Sequence, residues 1–217
     1  MSRGVTEVYS IMLPLSPPRP SFAYVLAHGA GAGMRHPFLE QFAQALFDRG
    51  AATLRYEFRY MEEGRKRPDP PAIAADRVRE AVERARAEWP GLPLIAGGKS
   101  FGGRMTSTAQ AERPLDGVAG LAFLGFPPHP PGKPSVTRAE HLFQVEVPML
   151  FLQGTRDEFA ERDLLTGVCG RLGARATLHL VQEGDHSFKV PKRAGTAEGV
   201  MGDLADTIVA WGTALRA

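Results

Sequence analysis

The sequence predicts an α/β fold in which a mostly parallel β-sheet of about six or seven strands is covered by helices on both faces. Short apolar runs alternate with longer amphipathic stretches, which is the pattern of successive strand–helix units. No linker and no internal repeat interrupts the 217 residues, so residues 1–217 are predicted to form a single domain with a sizeable core. Hydrophobic residues make up 43% and charged residues 23% of the chain, a balance that argues against wholesale disorder.

Six apolar runs have the length and composition of buried strands. They are residues 22–27, 51–56, 92–97, 118–124, 147–153 and 176–181. Pro93 lies near the start of its run, where a missing hydrogen-bond donor is tolerated. Residues 5–13 are predicted to add a leading strand, antiparallel at one edge of the sheet.

Amphipathic stretches between these runs predict the helices. Residues 37–49 place large apolar side chains on one face and are followed by Gly50, which suits a helix C-cap. Residues 73–89 carry a sparse apolar stripe, and residues 197–215 repeat apolar side chains at steps of three or four. The connection between positions 124 and 147 holds five prolines, which predicts a stiff flap with a short helix near residues 138–143 and no large cap domain.

Composition also excludes several classes of protein. No apolar stretch reaches the ~18 residues of a membrane helix, and residues 1–10 lack the apolar core of a secretory signal, so we expect a cytoplasmic protein that does not associate with membranes. A net charge of +2 does not favour nucleic acid as a partner. Cys169 is the single cysteine, which excludes an internal disulfide; we interpret it as a packing residue. We predict no metal and no cofactor, and the sequence leaves the oligomeric state open.

The motif Gly98-Lys99-Ser100-Phe101-Gly102 directly follows the third apolar run and precedes the helical stretch at residues 105–111. A serine on a sharp strand-to-helix turn is exposed on a strained backbone, and the tight turn favours glycine two residues before and after it. We therefore predict that Ser100 is a nucleophile.

The segment Gly98-Lys99-Ser100 also spells the end of a phosphate-binding P-loop. That motif requires glycine at position 93, where the chain has Pro93, and the strand runs directly into Gly97 without room for the loop. The sequence therefore disfavours a nucleotide site.

A serine nucleophile needs a base, and the base needs a carboxylate that orients it. Asp157 follows the fifth apolar run and His186 follows the sixth, in the chain order Ser–Asp–His. Because parallel strands deliver their carboxyl ends to one edge of the sheet, we expect the three residues to meet there. Glu158 stays open as a rival to Asp157.

An oxyanion hole requires two backbone donors aimed at the developing negative charge. The amide of Phe101 is the first candidate because it begins a helix. The second donor is predicted in the loop after the first apolar run, at Ala30 or, failing that, Gly29. We expect His28 to hold this loop and not to transfer protons.

With these motifs the chain resembles the α/β-hydrolase fold superfamily over nearly its whole length. The segments that carry the resemblance are His28-Gly29-Ala30-Gly31, residues 98–102, Gly154-Thr155-Arg156-Asp157 and Gly184-Asp185-His186. Residues 55–58, 98–104 and 125–133 are most similar to small, cap-less predicted hydrolases related to dienelactone hydrolase and to the hydrolase-like domain of a histone-acetyltransferase complex subunit. Dienelactone hydrolase has a cysteine nucleophile where this chain has Ser100, so its activity is not carried over.

The resemblance implies a Ser-Asp-His hydrolase scaffold. We predict a serine hydrolase that cleaves a small-molecule carboxylic ester or thioester through an acyl-enzyme. An uncapped site favours short acyl esters, thioesters or an exposed peptide-like bond over long buried lipids. Gly29, Arg104, Phe126 and His129 are the candidates for substrate contacts. Arg104 either meets an anionic substrate group or forms an internal ion pair with Glu57. The alternative function is a non-catalytic hydrolase-like interaction module whose site is blocked by residues 127–134.

Overall fold

A computed structural model describes residues 12–215 of the chain, which form a seven-stranded sheet in the order β1-β3-β2-β4-β5-β6-β7. The strands are β1 (Met12–Leu15), β2 (Ala23–Ala27), β3 (Ala52–Tyr56), β4 (Leu94–Lys99), β5 (Val118–Leu124), β6 (Met149–Gly154) and β7 (Ala176–Val181). Strand β1 pairs antiparallel with β3 at the sheet edge, and the other six strands are parallel. The carboxyl ends of six strands therefore lie at one edge of the sheet.

Helices connect the parallel strands, as right-handed crossovers require. They are α1 (Pro37–Phe47), the short α2 (Arg59–Glu62), α3 (Pro71–Glu88), α4 (Phe101–Glu112), α5 (Arg162–Leu172) and α6 (Ala197–Ala214), with 3₁₀ turns at Thr137–Gln144 and Gly173–Arg175.

The strand period of two separates the core into two layers. In β2, Ala23, Val25 and Ala27 pack in the layer formed with α3, α4 and α5, whereas Tyr24 and Leu26 pack in the layer formed with α1 and α6. Both faces of the sheet are thus covered. Because these strands are buried on both sides, they are apolar throughout and do not alternate with polar residues.

The six predicted apolar runs all contain strands, and the predicted helices are present, so the fold class is confirmed. Of the predicted leading strand, residues 12–15 are observed in β1, and residues 5–11 lie outside the described residues. Helix α5 was not predicted, although Leu165, Val168, Cys169 and Leu172 have helical spacing on its buried face. Cys169 packs in the core there, and burial raises the pKa of its thiol to about 11.

The connection between β5 and β6 contains the 3₁₀ turn Thr137–Gln144 and no large cap domain. The short helix predicted near residues 138–143 is therefore found as a 3₁₀ turn. Among residues 12–215, no helix combines the length and the apolar character needed to cross a membrane.

Candidate active site

Ser100 occupies the turn between β4 and α4, and its backbone is in the left-handed region, with φ 50° and ψ −111°. A non-glycine residue is held in such a conformation only by the structure around it. Glycine is required on both sides of this turn because the chain passes very close to the end of β2. A Cβ on Gly98 would lie 2.2 Å from the carbonyl oxygen of Ala27, and one on Gly102 would lie 2.6 Å from that of His28. The predicted sharp turn is present.

The imidazole of His186 links Ser100 to Asp157. Its Nδ1 lies 2.7 Å from Oδ2 of Asp157, and its Nε2 lies 2.9 Å from Oγ of Ser100. A carboxylate only accepts hydrogen bonds, so Nδ1–H donates to Asp157 and Nε2 is free to accept the Ser100 hydroxyl proton. The three residues predicted to meet at the sheet edge do so, although 86 positions separate Ser100 from His186.

Asp157 is the carboxylate at this site. Its side chain is fully buried, and it accepts hydrogen bonds from the Gln153 side-chain amide at 2.5 Å and from the backbone N–H of Phe159 at 2.8 Å. Glu158 is exposed, so the structure decides between the two candidates in favour of Asp157. The donors fix the carboxylate in the orientation that meets His186.

The two backbone amides predicted to form the oxyanion hole have no hydrogen-bond acceptor among the described residues. Neither the Phe101 nor the Ala30 amide donates a hydrogen bond to another group among residues 12–215. Phe101 begins α4, so its N–H has no acceptor within the helix. The loop of Gly29 and Ala30 packs on the Ser100 turn, since a Cβ on Gly29 would lie 3.9 Å from Cβ of Ser100.

His28 holds this loop, as the sequence predicted. It is fully buried, and its Nδ1 donates to the carbonyl oxygen of Gly29 at 2.8 Å, while its Nε2 accepts from the backbone N–H of Phe58 at 3.1 Å. The Gly29 carbonyl and the Ala30 N–H belong to one planar peptide and point in opposite directions. Fixing the carbonyl on His28 therefore turns the Ala30 N–H away from His28.

The fold and the sequence match a known protein family. Residues 20–213 match the pattern of the alpha/beta hydrolase domain family. The chain belongs to this family. The predicted superfamily is therefore confirmed.

Solved structures share the fold of this hydrolase-family protein over most of its length. An alpha-beta serine hydrolase homologue from Coxiella burnetii is 19% identical, with a TM-score of 0.72 over 92% of this chain and 89% of that one. A serine hydrolase without a lid from Xanthomonas campestris is 22% identical, with a TM-score of 0.70 over 92% and 88%. A dienelactone hydrolase from Anabaena variabilis is 21% identical, with a TM-score of 0.72 over 92% and 89%.

The partly buried side chain of Lys99 holds the loop of His186 in place. Its Nζ donates to the backbone carbonyl of His186 at 2.5 Å and lies 5.4 Å from the ring centre of Phe188. Gly125 leaves room for this arrangement, because a Cβ there would lie 3.0 Å from Nζ of Lys99 and 3.5 Å from Oδ2 of Asp157. Burial lowers the pKa of Lys99 to about 8, although the nearby carboxylates of Asp157 and Asp185 act in the opposite direction.

Three of the predicted substrate contacts do not line the cavity beside Ser100. The cavity beside Ser100 is lined by Gly29, as predicted, but not by Arg104, Phe126 or His129. Phe126 is a core residue that packs on Phe123 at 5.2 Å between ring centres. His129 is buried and links its loop to the start of α5, with Nε2 accepting from the backbone N–H of Glu161.

The predicted ion pair between Arg104 and Glu57 is absent from the described residues. Glu57 lies instead beside His28, at 3.2 Å from its Nε2, and accepts from the backbone N–H of Met34. The guanidinium of Arg104 lies 5.8 Å from the ring centre of Phe101. Burial, together with the charge of Arg138, lowers the pKa of Arg104.

The sequence analysis missed Gln153 and Phe159, which contact the side chains of Asp157 and His186. Gln153 is a polar residue at the end of an otherwise apolar strand, and this break in the pattern could have pointed to it. The ring of Phe159 lies 4.3 Å from the imidazole of His186, centre to centre, and tilts by 33°. No pattern in the sequence predicts that a phenylalanine in a polar loop contacts this histidine.

Proposed function

We propose that this protein is a serine hydrolase that cleaves a carboxylic ester or thioester through an acyl-enzyme. The observation that carries the proposal is the chain of hydrogen bonds from Ser100 through His186 to a buried Asp157, at 2.9 and 2.7 Å. Hydroxyl, imidazole and carboxylate in this geometry form the nucleophile, base and orienting group of acyl transfer.

In the proposed reaction, Oγ of Ser100 attacks the substrate carbonyl while Nε2 of His186 takes the hydroxyl proton. The carbonyl oxygen becomes an oxyanion that accepts hydrogen bonds from the Phe101 and Ala30 amides. The intermediate collapses as the bond to the leaving group breaks, and His186 donates its proton to the departing alcohol or thiol. Water then attacks the acyl-enzyme by the same steps and releases the acid.

Asp157 stabilises the imidazolium that forms in both steps. Its buried carboxylate contacts His186, Gln153 and the Phe159 amide, so the negative charge is held in place before substrate arrives. Such preorganisation lowers the barrier because little has to rearrange as charge develops.

The geometry favours this function over the non-catalytic interaction module. The prolines of residues 127–134 do not line the cavity beside Ser100, so the flap does not fill the site. The strained backbone at Ser100 also favours catalysis, because such strain costs stability and is typical of functional sites.

The experiment is labelling with a fluorophosphonate, followed by intact mass measurement. We expect one adduct on the native chain, none on Ser100→Ala, and an unchanged adduct on the control Ser135→Ala. In a second measurement, Ser100→Ala should lower kcat for an activated ester by roughly 10³-fold or more. A folded native protein that takes no label, or a Ser100→Ala variant that loses only a few-fold in kcat, would refute the proposal and favour the interaction module.

A further inference from the structure

A cavity of about 740 Å³ opens beside Ser100. Its floor is the Ser100 turn and the loop at Gly29, and its walls are α1, the segment after His186, and α6. The volume falls within the range of about 300–1,000 Å³ typical of sites that enclose drug-sized ligands. The site can therefore hold a substrate much larger than an acetyl group.

The walls of this cavity are mostly apolar. Phe38 of α1 and Phe188 stack with their ring centres 5.9 Å apart and their planes 13° from parallel. Opposite elements contribute Val200, Met201 and Leu204 from one face of α6. Leu204 lies three residues after Met201 and four after Val200, so its side chain neighbours both on the helix surface and the wall is continuous.

The charged groups of the lining have one sign. The lysines at positions 99 and 189 line the cavity, and no aspartate or glutamate of the described chain does. Lys99 is held inside by its bond to the His186 carbonyl, so its charge is fixed in the wall. A cationic substrate would meet like charge in the lining, because the carboxylates of Asp157 and Asp185 lie near Lys99 but do not line the cavity.

We propose that this cavity binds the apolar chain or ring of the ester, and that the substrates are uncharged or anionic esters or thioesters with a medium-to-long apolar group. The inference rests on the proposed function and names its substrate class. It departs from the preference for short acyl groups that the missing cap domain suggested, because α1 and α6 supply apolar walls without a cap.

The test is a chain-length series in two arms. One arm varies the acyl group, from p-nitrophenyl acetate through butyrate and octanoate to laurate, and the other varies the alcohol, from ethyl to octyl acetate. Each methylene buried on the apolar wall should raise kcat/KM roughly fourfold, so octanoate should exceed butyrate by about 250-fold if all four additional methylenes are buried. The arm that shows the rise tells which side of the ester the cavity binds. Butyrylcholine should be cleaved more slowly than its uncharged dimethylbutyl isostere.

Met201→Trp fills the cavity from the α6 side and should lower the octanoate-to-acetate ratio of kcat/KM at least tenfold. Met201→Ala widens the same wall and should shift the preference toward laurate. The matched control is Ala210→Trp, at an exposed position of the same helix, which should leave the ratio unchanged.

A flat or falling profile in both arms, unchanged by Met201→Trp, would overturn the inference while leaving the hydrolase activity intact. If Ser100 takes no fluorophosphonate and no ester is cleaved, the proposed function fails instead. The cavity is then tested without turnover: octanoate, but not acetate, should raise the Tm of Ser100→Ala and should lose this effect when Met201→Trp is added. Equal shifts with both acids would count against the inference.

Discussion

Replacing Lys99 by methionine separates the role of its charge from that of its packing. The methionine keeps an unbranched apolar chain of similar length and removes the ammonium group. That group donates to the backbone carbonyl of His186 at 2.5 Å and lies near the buried carboxylate of Asp157. We expect Lys99→Met to lower activity without lowering stability.

Two quantities set the expected changes in stability and in kcat/KM. The pKa of Lys99 falls from 10.5 to about 8 through burial, so keeping the charge in the folded state costs about 3 kcal/mol near neutral pH. Because the folded pKa lies below the unfolded one, the cost is present below pH 8 and disappears as pH rises to 10.5, so stability increases across that window. A hydrogen bond from a charged donor contributes about 1.5–3 kcal/mol, which limits the loss of kcat/KM to roughly 10- to 100-fold.

The assay combines thermal unfolding with pH-dependent kinetics. Lys99→Met should keep or raise the Tm at pH 7, should lack the gain in stability between pH 8 and 10.5, and should lose the inflection in kcat/KM near pH 8. Lys192→Met, at an exposed lysine after the same loop, serves as the control and should change none of these. Full kcat/KM in Lys99→Met would refute the role of the charge in positioning His186. Unfolding at a Tm several degrees lower would refute the cost assigned to burying the charge.

Three further substitutions test the parts around Ser100. His28→Leu removes the donor that fixes the Gly29 carbonyl and should lower kcat by about 10²-fold with little change in KM. His28→Asn keeps a donor and should recover part of the loss. Equal kcat in the two variants would argue that His28 does not hold the loop through this hydrogen bond. Gly102→Ala forces a Cβ within 2.6 Å of the His28 carbonyl oxygen and should destabilise the protein by about 1–3 kcal/mol in urea unfolding. Gly170→Ala, where a Cβ meets nothing within 4 Å, should instead be neutral or stabilising. Gln153→Ala removes a donor to the Asp157 carboxylate and should lower kcat about tenfold, and an unchanged kcat would show that this contact is dispensable.

The sequence predicted the fold class because its signals are local. Fully buried parallel strands are apolar throughout, helices repeat every three to four residues, and both patterns are visible without any tertiary contact. The errors arose where local signals weaken. Helix α5 carries two glycines, and one interpretation of Arg104 assumed an ion pair with Glu57, which lies beside His28 instead.

The turn at Ser100 could be predicted because its chemistry is written in adjacent residues. Gly98 and Gly102 are required by close backbone contacts, and the order of Ser100, Asp157 and His186 follows from parallel strands that end at one edge. The sequence thus determined which of these residues meet.

Only the tertiary structure decided what surrounds Ser100, Asp157 and His186. The wall formed by α6 and the stack of Phe38 on Phe188 join segments that lie far apart in the chain, and no local pattern specifies which apolar face borders the nucleophile. The choice of Asp157 over Glu158 likewise depended on which carboxylate the fold buries against His186. The burial of a side chain and its distances to other groups depend on contacts between residues that are far apart in the sequence, so they are known only once the chain is folded.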